Sequence, residues 1–278
     1  MIKTPWLTYS KQRAGVGIIT IFASKIAACA GMNKYESVDD IKSEIYAKFN
    51  KDSTFKTRED KVNELINDLP NETKTDITSI LTTQYTNVDE VQHVLDRVKL
   101  EHSNIDQSIV DKVRSTLYTN QGIQAEETIR MNVENNDGVQ IITDHRFKIC
   151  DFPITRLHDT NNTVDIFVGG KHDGQLADGT IVELKNRQRC FLGIPLYEKV
   201  QIHAYMVIYG SRKSWLVESF RGVEKKHVIE FDDAFWKDVV SNINDFVYDC
   251  ITPNTIYNGT SPDHPTSSSS TIVQGGPE

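Results

Sequence analysis

Apolar residues recur at three- and four-residue spacings through the first half of the chain and shift to strand-like runs in the second half. The first pattern predicts helices over 38–49, 58–69, 76–85, 88–100 and 105–117, with Ser37 before Asp39 and Asp40 as a cap signal. In the fourth of these, Val88, Val91, Val94, Leu95 and Val98 fall on one face. Strands are expected over 139–149, 164–171 and 180–184, then a helix over 196–209 and a strand over 213–220. An edge strand over 227–231 and a closing helix over 234–248 complete the pattern, and a further helix is expected around Glu126. From Asn258 the chain is rich in Ser, Thr and Pro, a composition that cannot bury a core, so this tail is expected to be disordered.

Within this pattern, Asp173 and Glu183 stand ten residues apart across the turn signal Asp178-Gly179. Two antiparallel strands would bring these carboxylates side by side. Strand side chains alternate, so Glu183 and Lys185 share a face while Leu184 points into apolar packing. Magnesium is usually held by one or two carboxylates with waters and phosphate oxygens, and a neighbouring ammonium can steady developing negative charge. Alone, the pair reads as an exposed hairpin with solvated charges. Downstream, Gln201 and Tyr205 lie one turn apart on one helix face, and upstream Glu126 supplies another carboxylate. Glu127 is its alternative if the helix register differs, and Asp165 is the rival to Asp173. His172 and His203 are expected to be structural, and Asp178 to cap backbone amides in the turn.

Gly122-x-x-x-Glu126, Asp173-Gly174, Glu183-Leu184-Lys185 and Gln201-x-x-x-Tyr205, in this order, resemble the PD-(D/E)xK nucleases, specifically the lambda exonuclease and YqaJ-type viral recombinase branch. The segment Ala23-Ser24 to Tyr35 is similar to the N-terminal helix of that branch. The resemblance implies an α/β (α+β) fold with a restriction-endonuclease-like core, a central mixed sheet in αβββαβ order flanked by helices, and an added N-terminal helical region. It implies that Asp173 and Glu183 bind Mg2+ or Mn2+, with the Leu184 carbonyl as an extra ligand and Glu126 at a second metal position. Lys185 would orient the attacking water, while Gln201 and Tyr205 would hold that lysine and the DNA backbone. Ser24, with Arg13 as the candidate arginine, would receive a 5′-phosphate, and Lys25, Lys34 and Arg187 would add DNA contacts. The implied activity is a metal-dependent exonuclease acting 5′ to 3′ on duplex ends in recombination, replication or repair. The alternatives are an endonuclease of the same superfamily and a non-catalytic DNA-binding protein. Implied partners are DNA, a single-strand annealing protein and, in a homo-oligomer, two further copies making a trimer.

Charge sharpens this picture. The net charge of −8 is unusual for a DNA-binding chain, yet residues 36–111 hold 17 Asp or Glu against 9 Lys or Arg and account for all of it. Up to Tyr35 there are Lys3, Lys11, Arg13, Lys25 and Lys34 and no acidic side chain. A second basic run, Lys185, Arg187, Arg189, Lys199, Arg212 and Lys213, reads either as a phosphate track or as a solvated face. These shifts divide the chain into 1–120, a helical and largely acidic region, 121–250, a nuclease core, and 258–278, the tail. The four cysteines, at 29, 150, 190 and 250, lack the spacing of a zinc or iron–sulfur site. Lys11 to Ala30 has the outline of a secretory signal, but Ser24-Lys25 interrupts the apolar run, so an intracellular protein is expected, in the cytoplasm or in the nucleus of a host. No run is long enough to span a membrane.

Overall fold

The computed structural model describes residues 7–9, 16–49, 54–83, 88–102, 105–144, 146–158 and 163–251. The chain opens with β1 (Leu7–Tyr9) and β2 (Val16–Phe22), which leads directly into α1 (Ala23–Cys29). Five helices follow: α2 (Val38–Phe49), α3 (Arg58–Asn67), α4 (Asn71–Thr82), α5 (Val88–Glu101) and α6 (Gln107–Asp137). Then come β3 (Lys148–His158), β4 (Thr163–Gly170), β5 (Gly174–Gln175), β6 (Ile181–Asn186), α7 (Leu196–Tyr209), β7 (Lys213–Phe220), β8 (Val223–Glu230) and α8 (Asp233–Ile251). This is a mixed α/β fold. Hydrogen bonding divides its strands into two four-stranded sheets, in orders β1-β2-β4-β3 and β5-β6-β7-β8, where the sequence suggested a single central sheet. Each sheet is mixed: β2 runs parallel to β4 and β6 parallel to β7, while the other pairs are antiparallel.

The apolar run at 16–22, which the secretory outline had drawn attention to, is β2, inserted between β1 and β4. Its β-branched residues suit a strand covered on both faces: Ile19, Thr20 and Ile21 are all buried. The strand expected over 139–149 begins only at Lys148 and runs to His158. Before it, Asp144 accepts from the backbone N–H and the guanidinium of Arg146, and such local side-chain bonding competes with a ladder. Near Pro153 the β3–β4 register shifts, between Asp151 and Arg156, as expected where proline lacks a donor.

The helices expected over 105–117 and around Glu126 are one 31-residue helix, α6, so the boundary drawn at 120 falls inside it. Asp106 caps its start by accepting from Ser108 N–H, and Gly138 ends it in the left-handed region at φ 63°. The first half of α6 contributes Ile109, Val113 and Leu117 to a core shared with Val62, Ile77, Ile80, Val91, Leu95 and Val98. Its second half places Ile129 and Val133 against Val182, Leu184 and Val217 on one face of the β6–β7 pair. The largest core joins β2, α1, α2, β4, α7 and α8. No described helix is long and apolar enough to cross a membrane. The tail at 258–278 and Arg13 lie outside the described residues.

His203 on α7 is fully buried between Phe231 and Phe235, its Nδ1 2.8 Å from the Lys199 carbonyl and its Nε2 accepting from Asp232 N–H at 3.1 Å. That arrangement needs a neutral ring, and burial holds its pKa below the usual 6.5. The unfolded chain therefore takes up the proton first as pH falls, and the folded state loses stability below about pH 6.5. Urea unfolding of wild type and His203→Phe should show the stability difference moving against wild type between pH 8 and pH 5.5. A difference independent of pH would rule this out.

Candidate active site

β5 and β6 form the hairpin that sequence spacing suggested. Gly174 pairs with Val182, Asp178 accepts from Thr180 N–H at 2.9 Å, and Gly179 occupies the turn at φ 88°, a region open to glycine. Asp173 precedes β5 by one residue, and its Oδ2 accepts from Leu184 N–H at 2.7 Å. This bond sets Asp173 beside Glu183. Leu184 turns away into the apolar core under α6, as strand alternation requires.

Glu183 is only 3% exposed, and its two oxygens have different surroundings. Oε1 accepts from Lys185 Nζ at 2.6 Å and from Gln201 Nε2 at 3.3 Å, whereas Oε2 is buried without a hydrogen-bond partner. Gln201 Nε2 also donates to the Tyr205 hydroxyl at 3.0 Å, so one face of α7 carries a chain of contacts to the carboxylate. Tyr205 approaches β4 closely because position 170 is glycine: a Cβ there would lie 2.8 Å from the Tyr205 ring and 3.0 Å from the Ala23 Cβ. The first turn of α1 therefore abuts Tyr205, and Ser24 follows Ala23 as an exposed residue.

Glu126 on α6 completes the acidic pocket. Burial, and then the charge of Asp173, push its carboxyl up to about 7. Burial and Asp173 likewise push Glu183 up to about 8, and burial raises Asp173. Burial alone would lower Lys185, but the charges of Glu183 and Asp173 outweigh it and the net shift is upward. The pocket thus concentrates more negative charge than its lysine offsets. Hard oxygen donors, an accumulated negative charge and the orphaned Oε2 of Glu183 together fit a divalent cation such as Mg2+ or Mn2+. A cavity of about 140 Å³ opens on this side, lined by Glu126, Asp173, Leu184, Lys171 and Arg130 among others. Lys171 was missed from sequence. Its signal was its place at the end of a predicted strand, two residues before Asp173.

Glu127 also borders that cavity but is exposed and ion-paired with Arg130. Asp165 lies on β4, paired in register with Ile18 and Arg156 in the other sheet from Glu183. His172 is buried against the Tyr209 ring with centroids 4.1 Å apart, and neither of its ring nitrogens has a hydrogen-bond partner among the described residues. Lys25 bonds Glu36 at 2.5 Å, and the Lys34 ammonium lies 5.1 Å from the Tyr35 ring centroid. Among the described residues, the one trio of His, Cys, Asp or Glu whose ligand atoms all lie within 4.8 Å is Asp76, Glu101 and His102. Arg97 stands 3.8 Å and 3.7 Å from those carboxylates and already offsets their charge. Glu126, Asp173 and Glu183 do not form such a trio.

No family model matches the chain, and no curated protein matches it. Solved structures similar to it include an alkaline exonuclease from Laribacter hongkongensis, at 12% identity over 63% of this chain and 85% of that one, with a TM-score of 0.37. The same exonuclease in complex with dAMP gives 12% identity over 63% and 85%, with a TM-score of 0.35. A phage-related exonuclease from Haemophilus somnus gives 13% identity over 48% and 70%, with a TM-score of 0.33.

The second basic run is largely committed to internal partners, which corrects the reading of Arg187 as a DNA contact. Arg187 donates to both oxygens of Glu198 at 2.7 Å and, through Nε, to Glu218 at 2.6 Å. Lys185 is held by Glu183, Lys199 lies 3.6 Å from Asp232, and Arg212 pairs with Asp233 at 2.5 Å. Glu218 is fully buried and also accepts from Leu192 N–H, Gly193 N–H and His227 Nε2 at 2.7, 3.0 and 2.8 Å. Burial alone would raise its pKa, but these donors reverse the direction and hold it below the usual value. Linear spacing could not reveal this, since Glu218 lies 31 residues from Arg187. Removing one member of a buried ion network strands the others, so Arg187→Met should cost about 3–5 kcal/mol. Urea denaturation measures this, and a loss below about 1 kcal/mol would show that the carboxylates find water or new partners.

Proposed function

We propose that this chain is a divalent-metal-dependent deoxyribonuclease of the PD-(D/E)xK type, with a restriction-endonuclease-like core, that removes nucleotides from duplex ends in the 5′ to 3′ direction. One observation carries the reading: Glu183 is held on one oxygen by Lys185 and Gln201 while its other oxygen is buried and unpartnered, and the charge of Asp173 beside it helps push the carboxyl up.

Asp173, Glu183 and the Leu184 carbonyl would hold Mg2+ or Mn2+, with Glu126 on the flank at a second position. When bound, the ion polarises a phosphodiester and neutralises charge on its oxygens. Lys185 commits one ammonium proton to Glu183 and has two others to align the attacking water against the phosphorus. Gln201 fixes the same carboxylate oxygen from α7, so Lys185 and Glu183 keep their mutual orientation when the substrate arrives. The Tyr205 hydroxyl, accepting from Gln201, fixes the amide in turn. Ser24, exposed at the start of α1, would contact a strand terminus, and Lys171 at the cavity rim would contact a phosphate.

The purified full chain should release nucleotides from linear duplex DNA with Mg2+ or Mn2+ and leave covalently closed circles intact. Asp173→Asn, Glu183→Gln and Lys185→Met should each reduce release by about a hundredfold or more. Mn2+ should raise the unfolding temperature of wild type and not that of Asp173→Asn. Cleavage of closed circles would make the protein an endonuclease. Binding of DNA in EDTA with no cleavage at either metal would make it a binding protein.

A further inference from the structure

Apart from the metal pocket, the chain presents an aromatic groove of about 530 Å³ between the segment after α1 and the start of α7. Tyr35 and Tyr197 meet edge to face across it, with ring centroids 5.8 Å apart and planes at 87°. Met32 and Lys34 line one side and Leu192 and Leu196 the other. Tyr35, Leu192 and Leu196 are 71%, 52% and 51% exposed, an unusual density of apolar surface to leave in water.

The groove wall is not a loose loop. Buried Glu218 takes the backbone N–H groups of both Leu192 and Gly193, and Arg187 ties Glu218 to Glu198, the residue after Tyr197. Helix α7 links the groove to the metal pocket. Tyr197, Gln201 and Tyr205 stand at four-residue intervals on one face of α7, and Gln201 donates to both Glu183 and the Tyr205 hydroxyl. Tyr197 is therefore just over one helical turn, about 6 Å, along α7 from the glutamine that touches the carboxylate. A phosphodiester at the pocket would leave its neighbouring nucleotide beside this groove. The exposed Tyr35 ring, with the Lys34 ammonium 5.1 Å from its centroid, suits the π-face of a base without reading its identity.

We infer that the Tyr35–Tyr197 groove stacks an unpaired nucleobase of the strand whose backbone enters the metal pocket, so that the strand is gripped by a base as well as by its phosphates. This rests on the nuclease reading for the placement of the strand, while the groove itself is tested separately.

The test is binding of the full chain in EDTA to an oligothymidylate and to an abasic strand of the same length, beside nucleotide release from linear duplex with Mg2+. Wild type should prefer the base-bearing strand by roughly tenfold. Tyr35→Ala, at an exposed position that leaves the core untouched, should bring that ratio close to one without weakening the abasic strand, and Tyr35→Trp should preserve it. Base preference undiminished in Tyr35→Ala, or missing from a wild type that cleaves, overturns the groove. So does a change from oligomer to monomer in Tyr35→Ala with base preference kept, which would make the groove a contact between copies of this chain. Base preference in a wild type that releases no nucleotides supports the groove and overturns the nuclease reading alone.

Discussion

A slip of one residue between β5 and β6 would carry Glu183 and Lys185 into the apolar layer under α6 and turn Leu184 toward the carboxylates. The bond from Leu184 N–H to Asp173 Oδ2 opposes that slip at the point where the chemistry is concentrated. It joins the backbone of one strand to the acidic side chain before the other, so register and carboxylate spacing are set together. The turn reinforces it, with Asp178 held to Thr180 and Gly179 in a conformation costly for other residues. From this anchored hairpin the contacts extend outward, through Lys185 and Gln201 to Tyr205, and through Leu184 to the second half of α6.

Residues whose partners are near in sequence, or on one regular face, were legible. The hairpin, the Glu183–Lys185 alternation, the Gln201–Tyr205 spacing, and the limits of α2, α7 and β7 all follow from periods of two and 3.6 with standard turn chemistry. What escaped depends on long-range pairing. β2 looks like a plain apolar run until β4 is placed beside it more than 140 residues later in the chain. Arg187 looks like one more surface cation until folding brings Glu198 and Glu218 around it. The division of the strands into two sheets is likewise a matter of which edges meet, and side-chain alternation carries no information on that.

Charge placement shows the same contrast between sign and setting. In the helical block the acidic surplus is mostly at the surface, and pairs such as Lys112 with Glu59 and Lys56 with Glu64 contribute little. In the middle of β6 and toward the end of β7, buried carboxylates are matched to specific donors, and the match differs from one to the next. Glu218 has four donors and is held ionised, whereas Glu183 keeps one oxygen without a partner and is pushed toward protonation. Two glutamates on adjacent parallel strands thus have opposite characters, one a structural anchor and the other the centre of the proposed chemistry.

The unbroken run of α6 adds a mechanical consequence. A 31-residue helix is a rod of about 47 Å, and its two halves are bolted into different cores. Glu126 stands nine residues beyond Leu117, which is locked among the helices of the acidic block, and three before Ile129, which is locked onto β6. Any tilt of the block is therefore delivered to Glu126 as a displacement along or across the pocket. Gly122 lies between the two clamps, with open space where a side chain would stand.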